Sequence, residues 1–323
     1  MKADLLAIVA FVAAVLLATT LLQSGVWLTF LMLTLYAALL AQAWNVLGGY
    51  GGQFSFGHAL FFGVGAYTQV VLQVSHGVNA WLALCCAVAA AAAVGAFVGA
   101  LTFRYGLKGS YFALVTLAFA EVFRIGALSV PFTGGGVGMM LPLAPALSNL
   151  QFESRKGFIV LVLGFVALAL LLTAWLRHSR FGAQLQAVRD NEDAARALGV
   201  DPFVTKLWAI SLSAALMGAA GAFYVQVFSY LDPALAFGPQ VSVEALVGAI
   251  VGGMGSLWGP LLGAAVLHLL AEGTRNLFGQ LPGLSLVIYG TVLVLIVLFL
   301  PRGLSGSFGH LAGLWLKRWR GRR

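Results

Sequence analysis

Ten runs of mostly apolar residues, each bounded by a short polar or glycine-rich break, dominate the chain. They cover roughly 5–23, 26–47, 54–74, 80–103, 109–130, 157–176, 207–231, 241–254, 258–272 and 282–300. A helix needs about 20 apolar residues to cross a bilayer. A segment crossing lipid must also satisfy its own backbone hydrogen bonds, which selects the helix. The eighth and ninth runs are short, and they fit either two half-length spans or one re-entrant hairpin. The expected fold is therefore all-α: a polytopic membrane protein of about ten transmembrane helices (eight to ten), with short or re-entrant segments. Charge supports this. Only 9% of the 323 residues are charged and 61% are apolar, whereas a soluble domain carries about 25% charged residues.

The distribution of the eighteen Lys and Arg residues sets the orientation. Six follow Pro301, and five lie between Arg177 and Lys206. With the N-terminus inside and ten alternating spans, fourteen fall inside, against Arg155, Lys156 and Arg275 outside, with Arg124 left within a span. Basic residues in short loops mark the cytoplasmic side, so both termini are expected there. The net charge of +8 thus reflects topology and is no sign of nucleic-acid binding. Lys2 and the run Leu5–Leu17 resemble the start of a signal peptide, but no small-x-small cleavage site follows. The first run is expected to remain as an uncleaved span. The expected organisation is an N-terminal membrane anchor span (1–34), a transmembrane domain (35–305) containing a cytoplasmic loop at 177–206, and a basic tail (306–323). In the tail, Trp315 and Trp319 interleave the charges and suit a membrane surface.

Several chemistries lack their residues. There is no G-x-x-x-x-G-K-[ST] loop for nucleotide hydrolysis, no H-E-x-x-H and no paired CxxC. His58, His76, His178, His268 and His310 have no ligand spacing. Adjacent Cys85 and Cys86, in an Ala-rich run, read as small packing residues. No catalytic residue, metal or bound cofactor is expected.

Four features stand out. Between Trp44 and His58, four glycines in five positions break the helix, while Asn45, Gln53, Ser55 and His58 bring polar groups into membrane depth. Irregular backbone there survives only against protein or a water-filled cavity. Residues 190–202 read as helix, glycine turn, helix. Asp190 or Asn191 caps the start, Ala194, Ala195 and Leu198 share one side, Gly199 ends the helix, and Asp201-Pro202 opens the next. The ladders Gly95-x3-Gly99, Gly248-x3-Gly252 and Gly255-x3-Gly259-x3-Gly263 suit close helix packing. Among charges inside spans, Glu121 and Arg124 can pair on one face. Glu244, and His268 with Glu272, are functional candidates because charge in lipid is costly.

Together these stretches resemble the LivM-type permease of branched-chain amino-acid ABC importers. The likeness covers roughly 35–305 and rests on Asn45–Tyr67 (NVLGGYGGQFSFGHALFFGVGAY), Thr133–Gly138 (TGGGVG), Arg189–Gly221 and Ala245–Gly263. Such permeases carry an E-A-A-x-x-x-G loop that seats a coupling helix in the ATPase. Asp193-Ala194-Ala195 followed by Gly199 fits its spacing, with Asp in place of Glu. The resemblance assigns ATPase coupling to Asp193, Ala194, Ala195, Gly199, Asp201 and Pro202, and suggests Asn45, Gln53, His58 and Tyr67 for the translocation path. It implies a second homologous permease, two ATP-binding cassette subunits that bind the ATP, and an extracytoplasmic solute-binding protein, at the bacterial inner membrane. The residues alone leave open a stand-alone secondary transporter or channel, for which Glu121, Glu244 and Glu272 are the available ion-coupling acids.

Overall fold

The computed structural model describes residues 1–278, 282–299 and 303–306. Nearly all are helical. The chain opens with α1 (Lys2–Leu21) and α2 (Gly25–Asn45), which runs into a π-helical turn at Val46–Tyr50. Then follow α3 (His58–His76), α4 (Ala80–Arg104) and α5 (Gly109–Ser129). A loop, 130–154, contains the two-residue strand β1 (Met139–Met140). Beyond it lie α6 (Arg155–His178), α7 (Arg180–Asp190), α8 (Glu192–Ala197) and the long α9 (Pro202–Phe228). Strand β2 (Tyr230–Leu231) leads to α10 (Pro233–Ala236), α11 (Pro239–Gly252), α12 (Gly259–Phe278) and α13 (Pro282–Phe299). Strands β1 and β2 pair antiparallel, Met139 with Leu231 and Met140 with Tyr230.

The protein is an all-α polytopic membrane protein. Among the described residues, seven helical stretches are long and apolar enough to cross a membrane, including Gly25–Tyr50 and Pro233–Gly252. The ninth run is longer than expected: α12 has 20 residues, about 30 Å at 1.5 Å per residue. It continues past the apolar run through Glu272 and Arg275, which pair at 3.8 Å. The eighth stays short, α11 having 14 residues. The expected tail with Trp315 and Trp319 lies outside the described residues.

Small residues bring the helices together, because in lipid there is no hydrophobic drive between them and close van der Waals contact must serve. A Cβ at Gly95 would strike Ala214, and one at Gly218 would strike Ala91, which locks α4 to α9. Gly65 and Gly221 admit the backbones of α9 and α3 to each other. Gly252, Gly259 and Gly263 do the same for α11 and α12. Gly255 departs from the expected ladder: at φ +72° it sits in the turn between these helices. Cys85 and Cys86 also depart from expectation. They are exposed on α4, because at 100° per residue Leu84 and Ala87 take the inward face.

Helix pairing gives a depth scale. Gln42 bonds Leu257, Ala38 packs with Ala264, and Phe30 faces His268, so α12 runs antiparallel to α2. Phe237 stacks on Tyr67, and the Ala59 N–H donates to Ser242 Oγ, so the segment through α11 runs antiparallel to α3.

Candidate functional site

The loop between α6 and α9 is built from caps. Ser179 Oγ accepts from the Gly182 N–H and starts α7. Asn191 Oδ1 accepts from the N–H groups of Asp193 (3.1 Å) and Ala194 (3.0 Å) and starts α8. At its end Gly199 adopts φ +84°. The Val200 N–H reaches Ala195 O and the Gly199 N–H reaches Arg196 O, which forms a Schellman motif. Open space surrounds Gly199, so its backbone conformation is what demands glycine. Asp201 Oδ1 then accepts from the Phe203 and Val204 N–H groups, with Pro202 at the first helical position.

Charge fixes this loop to the bundle. Glu192 Oε2 meets Lys206 Nζ at 2.8 Å and Lys108 Nζ at 3.0 Å, joining α8 to α9 and to the turn before α5. Lys206 is only 4% exposed and lies 5.5 Å over the Phe103 ring. Burial raises the Glu192 pKa, but the hydrogen bonds from Lys206 and Lys108 outweigh it, and the carboxyl titrates below its ordinary value. Ala194, Ala195 and Leu198 do not share one side. Ala195 is buried at 2% exposure, while Ala194 is exposed and Leu198 is 83% exposed. Residues 194 and 198 are one turn apart and stack outward, whereas 195 is rotated about 100° inward. The result is an apolar knob, Ala194 and Leu198, beside the exposed Asp193.

The knob's base is tied to the broken end of α2. Arg189, at the end of α7, donates from Nη1 to Gly49 O at 3.1 Å. A Cβ at Gly52 would clash with the Arg189 side chain, and one at Gly49 with Asn45 and the Gly255 backbone. Asn45 is fully buried. Its Oδ1 accepts from the Gly255 N–H (2.8 Å), and its Nδ2 donates to Ser256 O (3.1 Å) and to Gln42 Oε1 (3.4 Å). Gln42 Nε2 in turn donates to Leu257 O at 2.7 Å. One polar knot therefore joins the loop, the π turn and the α11–α12 turn.

His58 is also fully buried, with Nε2 2.9 Å from Ser213 Oγ. The hydroxyl proton of Ser213 goes to Ala43 O (2.6 Å), so His58 Nε2 supplies the proton of the first bond. Gln53 is half-buried, its Nε2 3.3 Å from Gly51 O. Asn45, Gln53 and His58 gather near the knot. Tyr67 lies nine residues along α3 from His58, roughly 13 Å at helical rise. It stacks on Phe237 and lines a cavity of about 540 Å³ with Val64, Phe123, Ala127 and Thr133.

Other polar positions in the spans differ in their pairing. Glu121 and Arg124 form two hydrogen bonds, 2.6 and 2.8 Å, on the outward side of α5 and not toward the bundle. Gln240, Glu244 and His268 line a second cavity, of about 300 Å³, between α2, α11, α12 and α13. Among the described residues no group of His, Cys, Asp and Glu could hold a metal ion. Arg189, Glu192, Gln42 and Ser213 were not singled out by sequence. Only Gln42, a polar residue one turn before Asn45 in an apolar run, carried a visible signal.

Comparison with known proteins adds a family. Residues 26–297 match the model described as branched-chain amino acid transport system / permease component. The high-affinity branched-chain amino acid transport system permease protein LivM of Escherichia coli is 32% identical over 297 residues, covering 84% of this chain and 68% of the relative. The corresponding LivH of Escherichia coli is 23% identical over 292 residues, 83% of this chain and 91% of the relative. Ribose import permease protein RbsC of the same organism is 30% identical over 221 residues, 66% of this chain and 67% of the relative. No solved structure gives a significant match.

Proposed function

The chain belongs to the family of branched-chain amino acid permease components, and from that premise we propose that it forms half of the translocation path of an ATP-driven importer. Its partner would be a second, related permease, a reading supported by similarity to both LivM and LivH. Ten spans with both termini on the cytoplasmic side of the bacterial inner membrane fit the basic residues at one end of the bundle. The chain carries no P-loop, so ATP is assigned to two separate ATP-binding cassette subunits. An extracytoplasmic binding protein would deliver the solute at the face bearing the loop 130–154.

The observation that carries this reading is the capped turn at 191–202. It is rigid at both ends, tied by Glu192 and Arg189 to the bundle, and presents Leu198 to solvent. A short amphipathic helix whose apolar residues face outward is a peg for a groove on another protein. Force on the peg would pass through Arg189 and Gly49 to the broken end of α2 and through Asn45 to the α11–α12 turn. These helices line the candidate path, with Tyr67 and its cavity farther out; Gln53 and His58 flank the same break. The solute assigned is a branched-chain or similar small amino acid.

The test is assembly with the ATPase subunits. Leu198→Asp and Ala194→Trp are expected to abolish co-purification with the ATPase and ATP-driven uptake, while leaving the chain folded in the membrane. Normal uptake in both variants, or uptake by this chain alone without ATPase, would overturn the assignment.

A further inference from the structure

Among the described residues, the second cavity contains the one acid of the spanning helices that has no counter-charge. Glu121 pairs with Arg124, Glu272 with Arg275, and Asp4 with Arg177 and His178. Glu244, among the described residues, has no ion-pair or hydrogen-bond partner. It is exposed on this chain and opens into the cavity that His268 and Gln240 also line, and the remaining walls include Ala37, Val247 and Leu267.

The depth of this cavity is set by α2. With its π turn, α2 spans Gly25–Tyr50, and Ala37 is halfway along it. Gly248 packs on Ala41, one turn from Ala37, which puts Glu244 level with the middle of the span. An ionisable side chain at that depth is retained for a function by default, because lipid penalises it and packing gains nothing from it. Midplane cavities beside interrupted helices are also where transported solutes rest. The volume, about 300 Å³, is at the lower end of the range for small-molecule sites, roughly 300–1,000 Å³.

We propose that this cavity holds an apolar α-amino acid during its passage, with Glu244 as counter-charge to the solute ammonium. This rests on the importer reading and deepens it. His268 donates a ring N–H to the solute carboxylate, and the aliphatic walls take the side chain. A zwitterion meets Glu244 and His268 at once, with the Gln240 carboxamide one turn away in the same lining, and a single charged contact lets it leave again, as a conducting site requires. The same cation could come from a basic residue of the second permease inserted into the cavity, and the test separates the two.

The complete importer, reconstituted in proteoliposomes, is assayed for leucine uptake and for ATP hydrolysis stimulated by the loaded binding protein. Glu244→Gln is expected to lower leucine uptake roughly tenfold to a hundredfold, the worth of a charged hydrogen bond. Assembly and stimulated hydrolysis should persist, and Glu244→Asp should recover much of the uptake. In a chain carrying Cys85→Ala and Cys86→Ala, Glu244→Cys should react with a water-soluble thiol reagent, and leucine presented by the binding protein should slow the reaction. Uptake at the parent rate in Glu244→Gln would overturn the proposal. So would loss of the permease pair in that variant, which would identify the counter-charge as the partner's. Failure of the unaltered importer to take up leucine would instead sink the underlying importer reading.

Discussion

Two polar regions, one buried in the bundle and one open on its flank, are built in opposite ways. Around Asn45 and Gln42 the carboxamides each meet a backbone partner in the α11–α12 turn. Around Glu244 a carboxyl faces a cavity lined by Gln240, His268 and aliphatic side chains, with nothing bonded to it among the described residues. A buried polar group whose bonds are met is part of the frame, and removing it leaves its partners stranded. One whose bonds are open contributes nothing to the frame and awaits something else. Polarity at membrane depth is therefore not by itself a mark of the path.

Substitutions can break or sharpen this contrast. Asn45→Leu strands the Gly255 N–H and Ser256 O, so it should cost about 3 kcal/mol, read as earlier thermal unfolding in detergent. Unchanged unfolding together with lost uptake would move Asn45 from the frame to the path. Gly199→Ala comes next. The left-handed backbone there should cost about 1–2 kcal/mol, concentrated in the loop, and hydrogen exchange at 192–200 should rise while the knot stays protected. Glu244→Gln should change unfolding by less than about 0.5 kcal/mol; a larger loss would make Glu244 a frame residue.

The smallest effect concerns pH at the loop. The folded Glu192 carboxyl titrates below its ordinary value of 4.5. Its bonds to Lys206 and Lys108 are thus fully present above that value and are lost as pH falls through the lower, folded one. Proteolysis of the loop should be flat from neutral pH down to about 4.5 and rise only below it. Lys108→Ala should bring that rise to higher pH. A loop that opens near pH 6 would contradict the staple.

The helices and caps were legible because their signals are local. An apolar run, Asn191 before an acidic turn, Gly199 after it and Asp201-Pro202 each act within four residues, and each cap forms. The knot was not legible. Arg189 to Gly49 and Asn45 to Gly255 join residues 140 and 210 positions apart, and no period or spacing encodes such pairs. The face of α8 was misjudged for a related reason. Ala195 and Leu198 are three apart and look like neighbours, but Ala195 is turned inward and Leu198 is left out. Glu192 reads as one charge among several until Lys206 and Lys108 are found beside it.

The two-residue ladder of β1 with β2 has its own consequence. It stitches the loop 130–154 to the stretch entering α10, and the Tyr230 hydroxyl adds a bond to Val137 O. A few residues on, Phe237 stacks on Tyr67 and lines the same cavity. A tug on this loop is thus passed, as through a latch string, to Ser229 at the end of α9 and along the chain to Phe237.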